Sequence, residues 1–337
     1  MAEFASNVWL ITGGAGFIGS HLVETLLRKG ESVVAVDNFV TGSRKNMELM
    51  KKVAERPTSG RFDFRELDVT NRPAVQDLFS EVCPTYVLHQ AALGSVPRSI
   101  ENPIRAHEAN VDGFISVLEA ARLARVRRFV YASSGSVYGD SVESPKREEV
   151  IGECLSPYAA TKRVNEIYAQ VYGRTYGIET VGLRYFNVFG QRQDPNGPYA
   201  AVIPRWLAAL KKREGVTIFG DGSTSRDFCY IKNVVQANLL AATVVSSNLT
   251  GNDVINIACG NTTSLLELEF MLRSAVADSL GIEPTDIPSP VFEDFRKGDI
   301  KHSLAAIDRA SRALQYAPTH SVGDGIRELV QYQSQGD

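Results

Sequence analysis

The stretch LITGGAGFIGSHLVETLL, residues 10–27, joins the end of a short apolar strand pattern to the start of a helix pattern. Gly13, Gly16 and Gly19 within it allow a tight turn, close approach of the backbone to a pyrophosphate, and close packing of helix on strand. The phosphates would lie over the helix N-terminus, where free N–H groups and the helix dipole favour anions. The stretch therefore predicts a Rossmann-type turn that binds a dinucleotide.

Acidic residues after the next two strand patterns refine the type of dinucleotide. Asp37 ends the second strand pattern, about twenty residues beyond the glycines, where a carboxylate binds the adenine ribose hydroxyls. A carboxylate there would repel a 2′-phosphate, so the pattern favours NAD over NADP. Asp68, at the end of FRELDV, either caps the adenine end or is a plain turn residue.

Strand and helix patterns alternate through the first half of the chain. The strand patterns are NVWLITG, ESVVAVD, FDFRELD, TYVLHQAA, RRFVYASS and ETVGLRYF, separated by helix-like stretches such as 102–124. This order predicts an α/β fold with a doubly wound parallel sheet. After residue 188 the alternation breaks, although DVINIACG resembles another sheet strand and 199–214 a helix. We predict a Rossmann domain of residues 1–188 plus about 226–260, and a smaller mixed α/β substrate domain of 189–225 and 261–337.

Composition and charge exclude several classes of function. The chain is 44% hydrophobic and 22% charged, with a net charge of −3 and no basic block, so no nucleic-acid partner is expected. Four scattered cysteines and five histidines without ligand spacing predict no metal site and a reducing compartment. Apolar runs fall short of the roughly 18 residues of a membrane helix, and the N-terminus lacks the basic region of a signal peptide. We therefore expect a cytoplasmic protein with no membrane partner.

The stretch SPYAATKRVNE places Tyr158 four residues before Lys162 on one face of a predicted helix. By itself the spacing also fits a packing aromatic beside a lysine, so the context has to decide. Upstream, VYASSGSVYG is a strand pattern ending in hydroxyl residues, among them Ser134. Because ligands bind at the carboxyl edge of such a sheet, we expect Ser134, Tyr158 and Lys162 to meet beside the nicotinamide.

The glycine turn, the strand-end serine and the Tyr-x-x-x-Lys pair together resemble the extended short-chain dehydrogenase/reductase family over nearly the whole chain. The resemblance implies that Tyr158 is a phenolate base, with Ser134 and Lys162 as its catalytic partners. A free phenol has a pKa of about 10, and a nearby ammonium and the positive nicotinamide would lower it. The implied NAD contacts are Gly13, Gly16, Phe17, Ile18, Gly19, Asp37, Asn38, Asp68, Val69, Gln90, Ala91, Ala92, Asn110, Tyr158, Lys162 and Tyr185.

The residues after Ser134 distinguish reactions within that family. Dehydratases and decarboxylases of the family carry acidic residues there, whereas this chain has Gly135 and Ser136. SSGSVYGD, NVDG, GLRYFNVFG and FGDGSTSRDF instead resemble the NDP-sugar 4-epimerases. The resemblance implies that Tyr158 removes the proton of the sugar 4-hydroxyl while hydride leaves C4. The 4-keto sugar then turns and hydride returns to its other face, with NAD tightly bound and regenerated in each turnover.

Further motifs resemble those of bacterial UDP-N-acetylglucosamine 4-epimerases of surface-polysaccharide biosynthesis, namely HQAALGSVPRSI and QRQDPNGPYAAVIP. The resemblance makes Ser303 a gate at the sugar C2 substituent; both Ser303 and Ala201 are small enough to admit an N-acetyl group. It therefore implies UDP-GlcNAc and UDP-GalNAc as substrates. The implied substrate contacts are Gly94, Ser95, Ser134, Ser136, Asn187, Ala201, Val202, Phe219, Arg226, Arg296, Asp299 and Ser303.

Three alternatives remain open. A UDP-glucose/UDP-galactose 4-epimerase would share every catalytic residue, and Arg98 keeps a UDP-uronic acid 4-epimerase possible. A non-catalytic NAD-binding regulator is disfavoured by the intact catalytic set. The helix patterns at 106–126 and 158–177 carry apolar positions beyond a sheet-facing stripe. In the family the matching helices form a four-helix bundle, which implies a homodimer, although thick intramolecular packing would leave the same pattern.

Overall fold

Strands form where the sequence has short runs of β-branched and aromatic residues. The structure is a computed structural model that describes residues 7–195, 201–295 and 301–334. Its strands are β1 (Val8–Thr12), β2 (Ser32–Asp37), β3 (Phe62–Glu66), β4 (Tyr86–His89), β5 (Arg128–Ser134), β6 (Thr180–Tyr185), β7 (Val188–Phe189), β8 (Thr217–Phe219), β9 (Ser225–Arg226), β10 (Cys229–Tyr230), β11 (Asn252–Ile257), β12 (Thr263–Ser264), β13 (Val291–Glu293) and β14 (His302–Ser303).

Helices connect most of these strands. They are α1 (Phe17–Arg28), α2 (Arg44–Ala54), α3 (Arg72–Val82), α4 (Val96–Glu101), α5 (Pro103–His107), α6 (Gly113–Leu123), α7 (Pro157–Tyr176), α8 (Val202–Lys211), α9 (Ile231–Thr243), α10 (Leu265–Leu280), α11 (Asp308–Leu314) and α12 (Val322–Ser334). Within the described ranges, no helix is both long enough and apolar enough to cross a lipid bilayer.

A seven-stranded parallel sheet forms the centre of the fold, in the order β3-β2-β1-β4-β5-β6-β11. Its strands are almost continuously apolar because helices cover both faces. The strand order reverses between β1 and β4, and a crevice opens at that point beyond the carboxyl ends of the strands. The predicted doubly wound parallel sheet, including the strand in DVINIACG, is confirmed.

Two apolar clusters hold the helices on the sheet. On one face, Val75 and Phe79 of α3 pack with Val117 and Leu118 of α6. On the other face, a larger cluster runs from Leu22 of α1 through the sheet to C-terminal residues such as Leu268 of α10 and Leu329 of α12. Each such side chain contributes about 2 kcal/mol when fully buried. The C-terminal segments are thus packed directly on the sheet, while the predicted division into two domains stays a prediction.

The segment 102–124, predicted as one helix, is interrupted in its middle in the structure. Asn102 caps α5, but residues Glu108–Asp112 form a wider π-helical turn before α6 begins. In this turn the buried Asn110 side chain accepts from Leu93 N, donates to Leu93 O and donates to Thr161 Oγ1. These contacts join α7 to the loop after β4, so long-range hydrogen bonds accompany the departure from regular helix.

Helix α7 carries Tyr158 and Lys162, and a buried ion pair sets its position. Ser156 caps the helix by accepting from Ala159 N. Two turns further on, the Glu166 carboxylate accepts from both Nε and Nη2 of Arg184 on β6, each at 2.9 Å. It also accepts from Ser133 Oγ of β5 at 2.6 Å, next to Ser134. The carboxylate therefore fixes α7 against the two strands that complete the site.

Removing one partner of this buried pair should destabilise the protein. We expect Arg184→Met to lower the free energy of unfolding by about 3 kcal/mol, because the buried Glu166 carboxylate would keep only the 40% exposed Arg163 as a cationic partner. Denaturant unfolding followed by fluorescence measures this. Arg327→Met is the matched control: it removes an ion pair whose two side chains are 65% and 46% exposed, and it should cost less than about 1 kcal/mol. Equal losses in the two variants would contradict the interpretation.

Candidate active site

The glycine turn brings the first helix directly onto the end of β1. Gly13 has φ +67°, and a Cβ there would lie 2.7 Å from Ala91 N. A Cβ on Gly19 would lie 2.0 Å from Gly13 O, so any side chain would force α1 away from the turn. The helix is capped by Gly16, and among the described residues no side chain accepts from its first N–H groups. This end of α1 is therefore open to an anionic group such as a pyrophosphate.

A cavity of about 1670 Å³ extends from this turn along the carboxyl edge of the sheet. Most of the predicted cofactor residues line it. They are Gly13, Gly16, Phe17, Ile18, Gly19, Asp37, Asn38, Asp68, Val69, Gln90, Ala91, Ala92, Tyr158, Lys162 and Tyr185. The cavity also reaches Gly94, Ser95, Ser134 and Asn187, which were predicted to contact substrate. The open N-terminus of α1 fits the pyrophosphate of NAD, and the Asp37 carboxylate at the end of β2 fits its adenosine half.

Carboxylates mark the adenosine end of the cavity. Asp37 accepts from Ala15 N and Phe39 N at 3.0 and 2.8 Å. Burial raises the pKa of Asp37, and these backbone hydrogen bonds oppose the rise. Asp68 accepts from Asn38 Nδ2 at 2.8 Å and from Thr70. Although burial alone would raise the pKa of Asp68, these hydrogen bonds leave it below its usual value. Both groups have lone pairs available for hydroxyl or amine donors.

The structure brings Ser134, Tyr158 and Lys162 together at the end of β5. The Ser134 hydroxyl accepts from Ser136 N at 3.1 Å and from Ser136 Oγ at 2.9 Å. The Ser134 hydroxyl also interacts with the phenol of Tyr158, and this interaction opposes the rise in the phenol pKa that burial causes. Because Ser134 already accepts two hydrogen bonds, its own proton is directed to Tyr158. The Lys162 ammonium lies 5.9 Å from the centre of the Tyr158 ring and donates to Ala132 O at 2.9 Å.

Burial has the largest influence on both titrating groups. It raises the pKa of Tyr158 despite the Ser134 hydrogen bond, and it lowers the pKa of Lys162 to about 8. Lys162 is thus an ammonium at neutral pH. The protein's own groups do not produce the lowered phenol pKa expected from the sequence. A positive nicotinamide beside the phenol is the remaining source of that stabilisation.

A second, smaller cavity of about 290 Å³ adjoins the first. It is lined by the predicted substrate residues Asn187, Ala201, Val202, Phe219 and Arg226. Asn187 borders both cavities, so the two spaces meet at the end of β6. Two cavities that share Asn187, the larger of them lined by Tyr158, can hold a dinucleotide and a second, elongated ligand.

A few predicted residues lie elsewhere. Asn110 lines neither cavity, because its amide is used by Leu93 and Thr161. Ser136 contacts Ser134 rather than a cavity, and Ser303 pairs with Arg226 in the register of β14 on β9. Arg296 and Asp299 lie outside the described residues. Within the described part of the chain, no three His, Cys, Asp or Glu side chains are grouped to hold a metal ion.

Sequence analysis missed two residues on the wall of the larger cavity. Arg192 pairs with Glu24 of α1 through Nη2, while its Nε and Nη1 are buried without a partner among the described residues. The side chain is only 7% exposed. Gln193 donates to Val188 O, and its Oε1 is likewise buried and unpaired. Both lie in the QRQDP segment, residues 191–195. The only sequence signal for them is the longer QRQDPNGPYAAVIP motif, which does not single them out.

Comparison with known proteins places the chain among nucleotide-sugar enzymes. Residues 9–258 match the model of the NAD dependent epimerase/dehydratase family. A UDP-glucose 4-epimerase of Mycolicibacterium smegmatis is 35% identical over 324 residues, covering 96% of this chain and 97% of the relative. The UDP-glucose 4-epimerase of Thermotoga maritima, solved with UDP-glucose, has 34% identity and a TM-score of 0.85, with 98% of this chain and 99% of that one covered.

A third similar protein acts on an acetylated sugar nucleotide. It is the UDP-N-acetylglucosamine 4-epimerase of Methanobrevibacter ruminantium, solved with UDP-N-acetylmuramic acid, at 33% identity and a TM-score of 0.85. Coverage is 98% of this chain and 99% of that one. The chain therefore belongs to the NAD dependent epimerase/dehydratase family. Within that family it is a member of the nucleotide-sugar 4-epimerase group, and its cofactor is NAD.

The geometry makes Tyr158 the group whose loss should stop turnover without releasing cofactor. We expect Tyr158→Phe to lower kcat by at least about 100-fold, the usual contribution of a positioned acid/base, while NAD stays bound. Turnover of a UDP-sugar and NAD content per chain are the two measurements. The control Tyr176→Phe removes an exposed phenol from the far end of the same helix, outside both cavities, and should keep full turnover. Wild-type turnover in Tyr158→Phe would contradict the assignment.

Proposed function

We propose that this enzyme interconverts UDP-GlcNAc and UDP-GalNAc by inverting carbon 4 of the sugar. The observation that carries the sugar assignment is the small size of the side chains at the predicted sugar positions. Among the described residues, a Cβ added to Gly94 would meet nothing within 4 Å, and Ala201 and Ser303 are two further small positions. An N-acetyl group needs three more heavy atoms than the hydroxyl oxygen that it replaces, and such positions leave room for it.

Tyr158 performs the proton transfer in this proposal. Its phenolate takes the proton of the sugar 4-hydroxyl, with Ser134 holding the phenol and Lys162 supplying a positive charge from below the ring. Bound NAD supplies a reversible hydride acceptor for carbon 4. After the 4-keto sugar has turned, the phenol of Tyr158 returns the proton to the new 4-oxygen. The two residues after Ser134 are Gly135 and Ser136, and neither carries the carboxylate that a dehydration would need.

The nucleotide has to stay anchored while the sugar turns. We assign that task to the smaller cavity, where Phe219 and Val202 offer apolar surface and Arg226 a guanidinium for a phosphate. Asn187 stands between this cavity and the catalytic groups. A nucleotide that is anchored in the smaller cavity leaves the sugar at its other end free to turn beside the catalytic groups.

UDP-glucose/UDP-galactose epimerisation is the first alternative, since the same catalytic groups would serve and the smaller sugar also fits. A UDP-uronic acid substrate is a second candidate, favoured by one observation: Arg98 lines the larger cavity beside Ser95 and could pair with a sugar carboxylate. A regulatory role without catalysis is disfavoured because Ser134, Tyr158 and Lys162 are assembled together.

Proton NMR of the purified protein with UDP-GlcNAc, and with UDP-Glc in a parallel tube, tests the substrate without adding NAD. We expect UDP-GalNAc signals to grow faster than UDP-Gal signals. Ser303 lines neither cavity but pairs with Arg226, which lines the smaller one. As the implied gate, Ser303→Tyr should extend a ring toward the site and lower turnover of UDP-GlcNAc by at least about tenfold while that of UDP-Glc is kept. Ser303→Ala is the matched control and should behave as wild type.

Turnover of UDP-Glc alone by the wild type would refute the sugar assignment and leave the mechanism standing. Turnover of neither sugar would be followed by the same experiment with added NAD and UDP-uronic acids.

We also propose that two copies of the chain associate through α7 and the neighbouring α6. Both helices carry exposed apolar side chains: Leu123 of α6 is 47% exposed, and Val171 and Ile167 of α7 are 49% and 45% exposed. Ile167 and Val171 lie one turn apart on α7, so they form a stripe on its outer face. A matching helix pair from a second copy would bury this stripe in a four-helix bundle.

Sedimentation velocity at micromolar concentration tests this association. We expect a species of about twice the mass of the 36.9 kDa chain. Replacing Ile167 and Val171 with Glu should convert it to monomer, because two charges would enter the apolar contact. The same replacement at Phe270, which is 68% exposed on α10, is the control and should leave the dimer intact. A wild-type protein that sediments only as a monomer would refute the proposal.

A further inference from the structure

Asp227 is a fully buried carboxylate between the two cavity-lining residues Arg226 and Phe228. Its side chain accepts three backbone hydrogen bonds: from Cys259 N at 2.9 Å, from Gly260 N at 3.0 Å and from Ala305 N at 3.3 Å. The side chain is 0% exposed. It thus ties the end of β11 and the segment after β14 to the segment after β9.

The backbone of the same residue makes two more connections. Asp227 N donates to Ser303 O at 2.8 Å, and Asp227 O accepts from Asn187 Nδ2 at 3.1 Å. Asn187 itself has φ +35°, a left-handed conformation that needs support from its neighbours in a non-glycine residue. Asp227 therefore holds Asn187 and the predicted gate Ser303, and it directly follows Arg226.

A carboxylate is the side chain that suits this position. Three N–H donors converge on two oxygens, and an amide would present an NH₂ group to at least one of them. Among the described residues, the ionisable groups near enough to feel the Asp227 charge are two thiols and a phenol, Cys229, Cys259 and Tyr316. No positive charge from the described residues compensates the carboxylate. Burying an unpaired charge is costly, so its place beside the sugar pocket calls for a functional reason.

We propose that Asp227 is a positioning residue that sets the shape of the UDP-sugar site by holding Asn187, Arg226 and the backbone of Ser303 in register. It contacts neither substrate nor cofactor in this account, and it acts through those three residues. The proposal rests on the proposed function, because it takes them as parts of the UDP-sugar site.

Protonation gives this role a measurable signature. Burial raises the pKa of Asp227 to about 6, against the three backbone hydrogen bonds that lower it. Above pH 6 the carboxylate accepts all three N–H groups. Below pH 6 it carries a proton, and one oxygen becomes a donor facing an N–H. The pocket should therefore loosen as pH falls through about 6, raising KM for a UDP-sugar. Catalytic proton transfer at Tyr158 sets kcat instead.

The experiment compares wild type with Asp227→Asn from pH 5 to 8, using whichever UDP-sugar the wild type turns over. At pH 7.5 we expect the variant to have a KM about tenfold higher, the scale of one buried hydrogen bond lost, with kcat within about twofold and unchanged NAD content. Its KM should not change across pH 6, whereas that of the wild type should rise. Asp221→Asn removes an exposed carboxylate six residues away and should match the wild type.

An unchanged KM in Asp227→Asn, or a wild-type KM that stays flat through pH 6, would overturn the proposal. A rise in KM accompanied by equally large falls in kcat and NAD content would also overturn it, because that result indicates a merely structural role. If Asp227→Asn does not fold, the pH profile of the wild-type KM decides the question alone. Asp227→Glu keeps a carboxylate, so its KM should still rise in part as pH falls through about 6. Failure of the sugar assignment appears separately, as absence of UDP-GlcNAc turnover, because the pH experiment does not depend on that sugar.

Discussion

The contact between the Glu166 carboxylate and the Arg184 guanidinium is the interaction on which the site depends. It joins α7 to β6, and through Ser133 it also joins α7 to β5. Tyr158 lies two turns before Glu166 on the same helix, and Ser134 follows Ser133 on the strand. One buried carboxylate thus fixes the base and its hydrogen-bond partner relative to each other. A site on rigid elements can hold that geometry through repeated proton transfers.

Burial then determines how the catalytic groups titrate. It lowers the pKa of Lys162 to about 8 and raises the pKa of Tyr158, so the protein alone favours a neutral phenol. A positively charged cofactor beside the phenol shifts that balance toward the phenolate. In the proposed mechanism, ionisation of Tyr158 would therefore be coupled to cofactor binding. The coupling fits an enzyme that keeps its cofactor and starts each turnover with it oxidised.

Local patterns were enough to predict the sheet and to select residues that the structure brings together along one cavity. The strands, the glycine turn and the Tyr158–Lys162 pair each depend on residues close in sequence. Features that depend on distant partners were not predictable. The π-helical turn follows contacts between Asn110 and both Leu93 and Thr161. Asp227 meets Ser303 across 76 positions of chain, and no periodicity in the sequence records that pairing.

The central claim is that carbon 4 gives up a hydride and takes the same hydride back within one enzyme molecule. Turnover of a UDP-sugar deuterated at C4, in ordinary water and with NMR of the product, tests this most directly. The account predicts that the deuterium remains at C4 of the epimer, because Tyr158 exchanges only the oxygen-bound proton with solvent. Replacement of the deuterium by solvent hydrogen would contradict it, since that result requires deprotonation of carbon 4.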